Sequence, residues 1–306
     1  MRTTFVPLAD LPFALPMTLS ASLRASALLV LLTLGCQRSQ PDTENASPQA
    51  VTDPATTPAA MAQRLSPLLR GVWVRTDYVE AVQRTRSPLA AAGRLRGVVA
   101  LSINPARRRG DSLLVEANLN NHEADQLTAY FRPGRTAMSL PTNRVDYERS
   151  GGFYELTVSV NGPDTTLLWQ RYTKSERPLE TLAFQRVRGL TTAPGASGEA
   201  VQRVVNAQLL AGAYAATDST GRRSQVRLLP NGTVQGLPGI RSYRVATDFV
   251  VTLANDRDNM VLNAGTKRPQ LCTYGFRGDT LRIYAARIVE PELRQGALRY
   301  TLVRQH

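Results

Sequence analysis

The chain has 306 residues and a formal net charge of +13, from 37 basic and 24 acidic residues. This length accommodates one large domain or two ordinary ones. The charge favours attraction to anionic lipid headgroups or other polyanions. The arginines are scattered, however, and the sequence contains no recognition helix, zinc-finger spacing or aromatic RNA-binding run, which argues against a nucleic-acid partner.

An uncharged apolar run that ends in glycine and cysteine stands near the start of the chain. Residues 26–36 are S-A-L-L-V-L-L-T-L-G-C, and Arg24 precedes them. The apolar part is much shorter than the ~20 residues of a transmembrane helix. A positive flank, a short apolar core and a small-residue end are typical of a secretory signal. Met17 lies closer to this run than Met1 does and is the more ordinary start of such a signal.

Gly35 and Cys36 resemble the lipobox of bacterial lipoprotein signal peptides, although Thr33 stands where leucine is usual. The resemblance implies cleavage before Cys36, a lipid on that cysteine and a location in the cell envelope. Gln37, where some bacteria use aspartate to retain a lipoprotein in the inner membrane, favours the outer membrane. Two or three acyl chains on one residue give a durable anchor, because each buried methylene contributes ~0.8 kcal/mol. An ordinary secretory signal is the alternative.

Composition divides the chain after the signal segment, residues 1–35, into a tether and two folded regions. Residues 36–64 are rich in Pro, Ser, Thr and Ala and offer too little apolar surface to fold, which predicts a disordered tether. We predict a first β domain over 65–188 and a second over 201–306. The segment 189–200, rich in Gly, Pro, Ser and Thr, is expected to link them.

The two folded regions open and close with similar segments. Residues 68–74 are L-L-R-G-V-W-V, and residues 209–215 are L-L-A-G-A-Y-A. The closing segments are T-L-A-F-Q-R-V at 181–187 and Y-T-L-V-R-Q at 300–305. Similar edges at this spacing indicate a tandem repeat.

Alternating hydrophobicity predicts antiparallel strands in both regions. Leu113, Val115 and Ala117 alternate with a mainly polar set, and Leu281 and Ile283 do the same in the second region. A period of two residues places one face of a strand inward and the other outward. Both regions are therefore expected to be β structures.

Turn residues separate these strands. The Asn-Gly pairs at 161–162 and 231–232 predict hairpins. The Gly-Asp pairs at 110–111 and 278–279 each belong to an Arg-Gly-Asp triplet, and their place before a strand indicates turns rather than adhesion motifs.

Two helices are predicted beside the strands. The first covers 77–86, with Asp77 as N-cap and Glu80 completing a capping box. The second covers 198–210 and leads into the opening strand of the second region.

Gly71 and Trp73 on an opening strand, with Arg186 on a closing strand, resemble the signature of lipocalin-like β-barrels, the calycins. In that family the arginine lies across the indole and closes one end of the barrel. The resemblance implies an all-β fold of two tandem antiparallel barrels, each with a short helix near its first strand. A β-sandwich is the alternative.

The second region carries the same pattern as Gly212, Tyr214 and Arg304, with tyrosine in place of tryptophan. In the family these residues are structural, so they imply no activity.

The sequence contains no catalytic set, cofactor fingerprint or metal-ligand spacing. His122 lies in a polar stretch between two strands, His306 is terminal, and the acidic segment 256–259 lacks the glutamate of a calcium loop. Cys272 is expected to be a buried apolar residue, because a lipid-modified Cys36 leaves it no disulfide partner. We therefore predict neither an enzyme nor a cofactor.

Two functions fit these observations, and both place the protein at a membrane through Cys36. The first is a barrel that binds a small or amphipathic ligand. The alternative is a structural or interaction lipoprotein, with solidly packed barrels that contact an envelope partner or a polyanion. An apolar internal pocket of several hundred Å³ would favour the ligand carrier, and a filled interior would favour the alternative. The identity of the ligand and the oligomeric state stay open.

Overall fold

The computed structural model describes residues 54–147, 151–249, 256–290 and 292–306. The predicted signal segment and Cys36 lie outside these ranges. The described chain forms two antiparallel eight-stranded barrels, one closed and one nearly closed. The predicted all-β class with tandem barrels is therefore confirmed.

The first barrel is a closed meander in which each strand pairs with the next and β8 returns to β1. Leu113, Val115 and Ala117 of β3 are buried, as their alternation predicted. Its strands are β1 (Gly71–Arg75), β2 (Val98–Arg109), β3 (Ser112–Leu119), β4 (Glu123–Tyr130), β5 (Ser139–Asp146), β6 (Gly152–Asn161), β7 (Asp164–Tyr172) and β8 (Pro178–Arg186).

The second barrel has the strand order β11-β10-β9-β16-β15-β14-β13-β12. Its edge strands meet at a bridge between Thr233 and Ser242, and the Tyr243 N–H donates to the Gly232 carbonyl at 2.7 Å. A barrel, not a sandwich, thus forms in this region too. Its strands are β9 (Gly212–Asp218), β10 (Arg223–Leu228), β11 (Val234–Gln235), β12 (Tyr243–Val245), β13 (Asn259–Leu262), β14 (Gln270–Arg277), β15 (Thr280–Val289) and β16 (Glu292–Gln305).

The predicted turns lie between strands. Residues 110–111 connect β2 to β3 and residues 278–279 connect β14 to β15, with φ of +61° at Gly110 and +57° at Gly278. The 161–162 pair lies in the β6–β7 hairpin, where the glycine has the positive φ. Both Arg-Gly-Asp triplets are therefore turn elements.

Helix α1 (Pro58–Leu69) precedes the first barrel and was not predicted. The Thr57 side chain accepts a hydrogen bond from the Ala60 N–H at 3.3 Å and caps the helix. Met61, Leu65 and Leu69 are four residues apart, so they share one face, which is buried in the core of the first barrel. Residues 58–64, which composition placed in the tether, are helical for this reason.

Helix α2 (Thr76–Thr85) follows β1 directly and agrees with the predicted helix, 77–86, to within one residue at each end. The prediction of Asp77 as N-cap is wrong, because the helix begins one residue earlier and Arg75 is its N-cap, with no side-chain cap bond. The Asp77 carboxylate instead accepts hydrogen bonds from the Arg75 guanidinium at 3.0 and 2.5 Å. A short helix, α3 (Pro88–Ala91), follows.

Helix α4 (Ala196–Val205) and a π-helical turn, Asn206–Leu210, precede the second barrel. The helix begins inside the segment predicted as a linker, because its small residues pack against β1, β2 and β3 of the first barrel. Glu116 of β3 accepts a hydrogen bond from the Gly195 N–H at the start of α4, at 3.3 Å. In the part of the chain that the structure describes, no helix is long and apolar enough to cross a bilayer.

One apolar cluster joins the two barrels. It contains Val72 and Val74 of β1, Val201 of α4, and Tyr214 and Leu302 of the second barrel. Trp73, between the two valines, belongs to the core of the first barrel instead. Successive residues of a strand point to opposite faces, so β1 contributes to both cores.

We expect Leu65→Ala to lower the free energy of unfolding by about 2–5 kcal/mol, since it leaves a cavity beneath α1. Gln63→Ala, at an exposed position of the same helix, should change it by less than about 0.5 kcal/mol. Urea unfolding followed by circular dichroism measures both. Equal stabilities of the two variants would contradict the packing of α1 in the barrel.

Candidate functional sites

The first of two glycine–aromatic–arginine clusters lies where α1 meets the first barrel. Trp73 and Arg186 are opposite each other in the β1–β8 pairing, and the guanidinium carbon lies 4.6 Å from the centre of the indole ring. The Trp73 Nε1–H donates to the Leu69 carbonyl at 2.9 Å, and Arg186 Nη2–H donates to the Leu68 carbonyl at 2.7 Å. The last carbonyls of a helix lack intrahelical donors, so the two side chains complete the end of α1.

The second cluster has the same arrangement at the end of the π-helical turn. Arg304 is opposite Tyr214 in the β9–β16 pairing, with the guanidinium carbon 5.1 Å from the phenol ring centre. The Tyr214 hydroxyl donates to the Leu210 carbonyl at 2.7 Å. Arg304 donates to the Ala211 and Leu209 carbonyls, both at 2.9 Å, and to the Tyr214 hydroxyl at 2.8 Å. Burial raises the pKa of Tyr214.

A glycine is required in both clusters. Gly71 has a φ of +143° and Gly212 a φ of +156°, conformations that other residues rarely adopt. A Cβ at Gly71 would lie 3.2 Å from the Arg186 side chain, and one at Gly212 would lie 2.8 Å from Arg304 Nη1. The missing side chain lets each arginine pass over the strand to the helix carbonyls.

These contacts fasten a helix end to a barrel. A cation over an aromatic ring contributes about 0.5–2 kcal/mol, and a positive charge at a helix C-terminus about 0.3–1 kcal/mol. In both clusters the polar side-chain groups bind carbonyls at the end of a helix. We therefore interpret both as structural elements of the fold.

Apolar side chains fill the first barrel. Leu101, Leu113, Leu156 and Phe184 come from four different strands, have no exposed area, and form one cluster with Leu65 of α1. Aromatic stacking continues toward the other end, where the ring centres of Tyr154 and Trp169 are 5.0 Å apart. The interior of this barrel is thus a packed core.

Two buried tyrosines and an aspartate lie together where α2 and α3 meet the second barrel. Tyr78 of α2 and Tyr274 of β14 are buried, and their hydroxyls have no hydrogen-bond partner among the described residues. Burial raises the pKa of both tyrosines, and the charge of Asp258 raises them further. Burial also raises the pKa of Asp258, although hydrogen bonds from the Ser87 hydroxyl and the Leu89 N–H lower it.

Several surface cavities have polar linings. One of about 540 Å³ lies beside β5 and β6 of the first barrel, lined by Arg144, Asp146 and Tyr154 among others. Another of about 400 Å³ lies over β14 and β15 of the second barrel, lined by Arg257, Arg282 and their neighbours. Charged linings of this kind suit polar or ionic partners better than apolar ligands.

The other sequence candidates do not form a site together. His122 lies in the turn before β4, with its Nε2 3.0 Å from the Glu123 carboxylate and its Nδ1 3.9 Å from that of Asp248. His306 lies 3.3 Å from Asp279. Among the described residues, no group of three His, Cys, Asp or Glu side chains could hold a metal ion.

Cys272 is buried in the second barrel, and burial raises the pKa of its thiol. A thiol with a raised pKa forms little of the reactive thiolate.

No family model, curated protein or solved structure matches the chain, so its function is inferred from these residues.

We expect Arg304→Met to lower the free energy of unfolding by about 2–4 kcal/mol, because it removes charge-assisted hydrogen bonds and leaves two helix carbonyls without a donor. Arg227→Met, at an exposed position of β10, is the matched control, with an expected change below about 0.5 kcal/mol. Thermal and urea unfolding compare the variants. A similar small change in both would show that the cluster does not hold the helix end.

The raised pKa of Asp258 predicts a pH-dependent stability. The folded protein binds the proton of this carboxyl more tightly than the unfolded chain does. Protonation of Asp258 therefore stabilises the fold as pH falls through the folded pKa toward 3.8, and the ionised carboxylate opposes folding at neutral pH. Asp258→Asn should therefore exceed the wild type in stability at pH 7, by a margin that shrinks toward pH ~4.

The control for this comparison is Asp256→Asn, at an exposed carboxylate two residues away. Urea titrations between pH 4 and 8 measure the difference from wild type for each variant. A difference for Asp258→Asn that does not vary with pH would rule out a role of its burial.

Proposed function

We propose that this chain is a lipid-anchored protein of the bacterial cell envelope, and that its two barrels are a solid scaffold whose outer surfaces contact a partner. The filled interior of the first barrel is the observation that supports the scaffold role most directly. Leu101, Leu113, Leu156 and Phe184 occupy the space that a carrier would keep for a ligand, and α1 packs against them. A barrel of eight strands is just wide enough for its own side chains to fill it.

The anchor is supported by the sequence at Cys36. Gly35 and Cys36 end an apolar run too short to span a bilayer, and a polar segment follows. Gln37 after the cysteine favours the outer membrane. Helix α1 follows in sequence at Pro58, so an anchor at Cys36 would attach the two barrels through their N-terminal side.

An anionic surface or polymer is the partner class that the charge favours. The chain carries a net +13, and only Lys174 and Lys267 of its 37 basic residues are lysines. Arginine binds phosphate and carboxylate through paired N–H donors, with a geometry that lysine lacks. The polar cavities on both barrels suit such ligands better than they suit apolar ones.

A small amphipathic ligand beside the first barrel is the second candidate. The cavity of about 540 Å³ reaches Tyr154, which stacks on the buried Trp169. An aromatic wall with Arg144 and Asp146 at its side could hold a ligand that has both an apolar and a charged part. This ligand would lie outside the packed core.

Mass spectrometry of the full chain, extracted from an envelope with mild detergent, tests the proposal. We expect the denatured mass to show a chain that begins at Cys36 and carries covalent acyl groups, and the native mass to show no further small molecule. The Cys36→Ser chain is the control and should carry no acyl group. An unmodified Cys36 would contradict the anchor. A stoichiometric bound molecule would contradict a scaffold that holds no ligand and would support the second candidate.

A further inference from the structure

Five exposed arginines, apart from Arg186 of the first cluster, lie at the end of the first barrel that α1 covers. We call this surface the arginine end. One lies in α1 and one directly after it, two are the last residues of β2, and one follows β4. They are Arg64, Arg70, Arg108, Arg109 and Arg132. All five are exposed, and none forms an ion pair with a described residue.

Contacts among these segments show that they share one end of the barrel. Arg64 Nη2–H donates to the Ala137 carbonyl at 2.8 Å, which ties α1 to the segment after β4. Phe131, next to Arg132, is buried in the same cluster as the apolar face of α1. The Phe131 N–H donates to the Asp111 carbonyl at 2.7 Å, and the Arg108 guanidinium carbon lies 5.7 Å from the Phe131 ring centre.

Few carboxylates oppose this charge. Asp111 is the acidic residue of the same three segments, and Asp164 lies in the adjacent β6–β7 turn. Five arginines against these two carboxylates leave a net +3. Arg107 is not counted, because it pairs with Glu116. Among the described residues, the arginine end therefore keeps a net positive charge.

The arginine end includes the segment of the described chain that follows the proposed anchor, and this indicates its partner. Residues 37–57 separate Cys36 from α1, and 21 residues span at most about 70 Å when fully extended. Because α1 is the first α-helix of the described chain, and one of the arginines lies in it and one directly after it, this end follows most directly from the anchor. Near an anionic leaflet each arginine strengthens binding about fivefold.

We infer that the arginine end docks on anionic phospholipid headgroups and orients the two barrels on the membrane that holds the anchor. This inference rests on the proposed lipid anchor at Cys36, since tethering keeps the surface within reach of the headgroups. The lipid on Cys36 then fixes the position of the protein at the membrane, and the arginine end fixes the orientation of its barrels. The second barrel is left to face away from the bilayer for contacts with partners.

Arginine footprinting of the full chain tests this docking without any substitution. The chain, purified in detergent, is reconstituted into vesicles of phosphatidylcholine alone or with phosphatidylglycerol, and is modified with phenylglyoxal. Peptide mass spectrometry then gives the modification rate of each arginine. We expect the arginine end to react at least about threefold more slowly in the anionic vesicles, and the protection to vanish in 0.5 M salt, where the Debye length falls to a few Å.

Exposed arginines of the second barrel, Arg223, Arg227 and Arg268, are the internal controls and should react equally in both vesicles. Equal rates at the arginine end, or protection of the second barrel instead, would overturn the docking.

Flotation of the same samples separates failure of the anchor from failure of the docking. A lipid-anchored chain floats with phosphatidylcholine vesicles after a high-salt wash. If it floats but shows no protection, the docking is wrong and the anchor stands. If it does not float but is protected on anionic vesicles, the anchor is wrong and the arginine end still binds headgroups.

Discussion

Both barrels depend on an arginine that lies over an aromatic ring and binds the carbonyls at the end of a preceding helix. In the first barrel these residues are Arg186 and Trp73, and in the second Arg304 and Tyr214. The aromatic residue donates to the carbonyl four residues before it in both cases. One interaction thus satisfies helix carbonyls that would otherwise lack a donor, orients the helix, and fixes the pairing of the first and last strands.

The helices held in this way also determine how the two barrels are joined. Helix α1 completes the core of the first barrel. Helix α4 packs against the outer side of β1–β3 and, through Val201, joins the cluster that contains Tyr214 of the second barrel. Helix α2 of the first repeat also contributes to this cluster, through Tyr78 and Val82. The repeats are therefore joined through their helices. A substitution in the apolar cluster that joins them is expected to affect both barrels.

Much of this architecture could be predicted from local patterns. A period of two residues identified β3 and β15, glycine pairs identified the turns, and the similar edges of the two regions identified the repeat. These signals work because each depends on a few adjacent residues. The glycine, aromatic and arginine of each cluster were found through the family resemblance, and the structure places the aromatic residue and the arginine together across ninety residues of sequence or more.

The features that escaped prediction depend on distant partners or on composition. Helix α1 lies in a segment rich in Pro and Ala, and the spacing of Met61, Leu65 and Leu69 was the signal that could have identified it. Asp77 fits a capping box locally, but the neighbouring Arg75 binds its carboxylate instead. Tyr78, Asp258 and Tyr274 come together across almost two hundred residues, so no local pattern could have revealed them.

A double-mutant cycle between Arg304 and Tyr214 tests most directly whether the arginine and the aromatic residue act as one unit. The cycle uses Arg304→Met, Tyr214→Phe and the double variant, and compares their free energies of unfolding in urea. We expect the two residues to act as one unit, with a coupling energy above about 0.5 kcal/mol, as is found for residues in one hydrogen-bond network. Additive effects, with a coupling energy near zero, would contradict it.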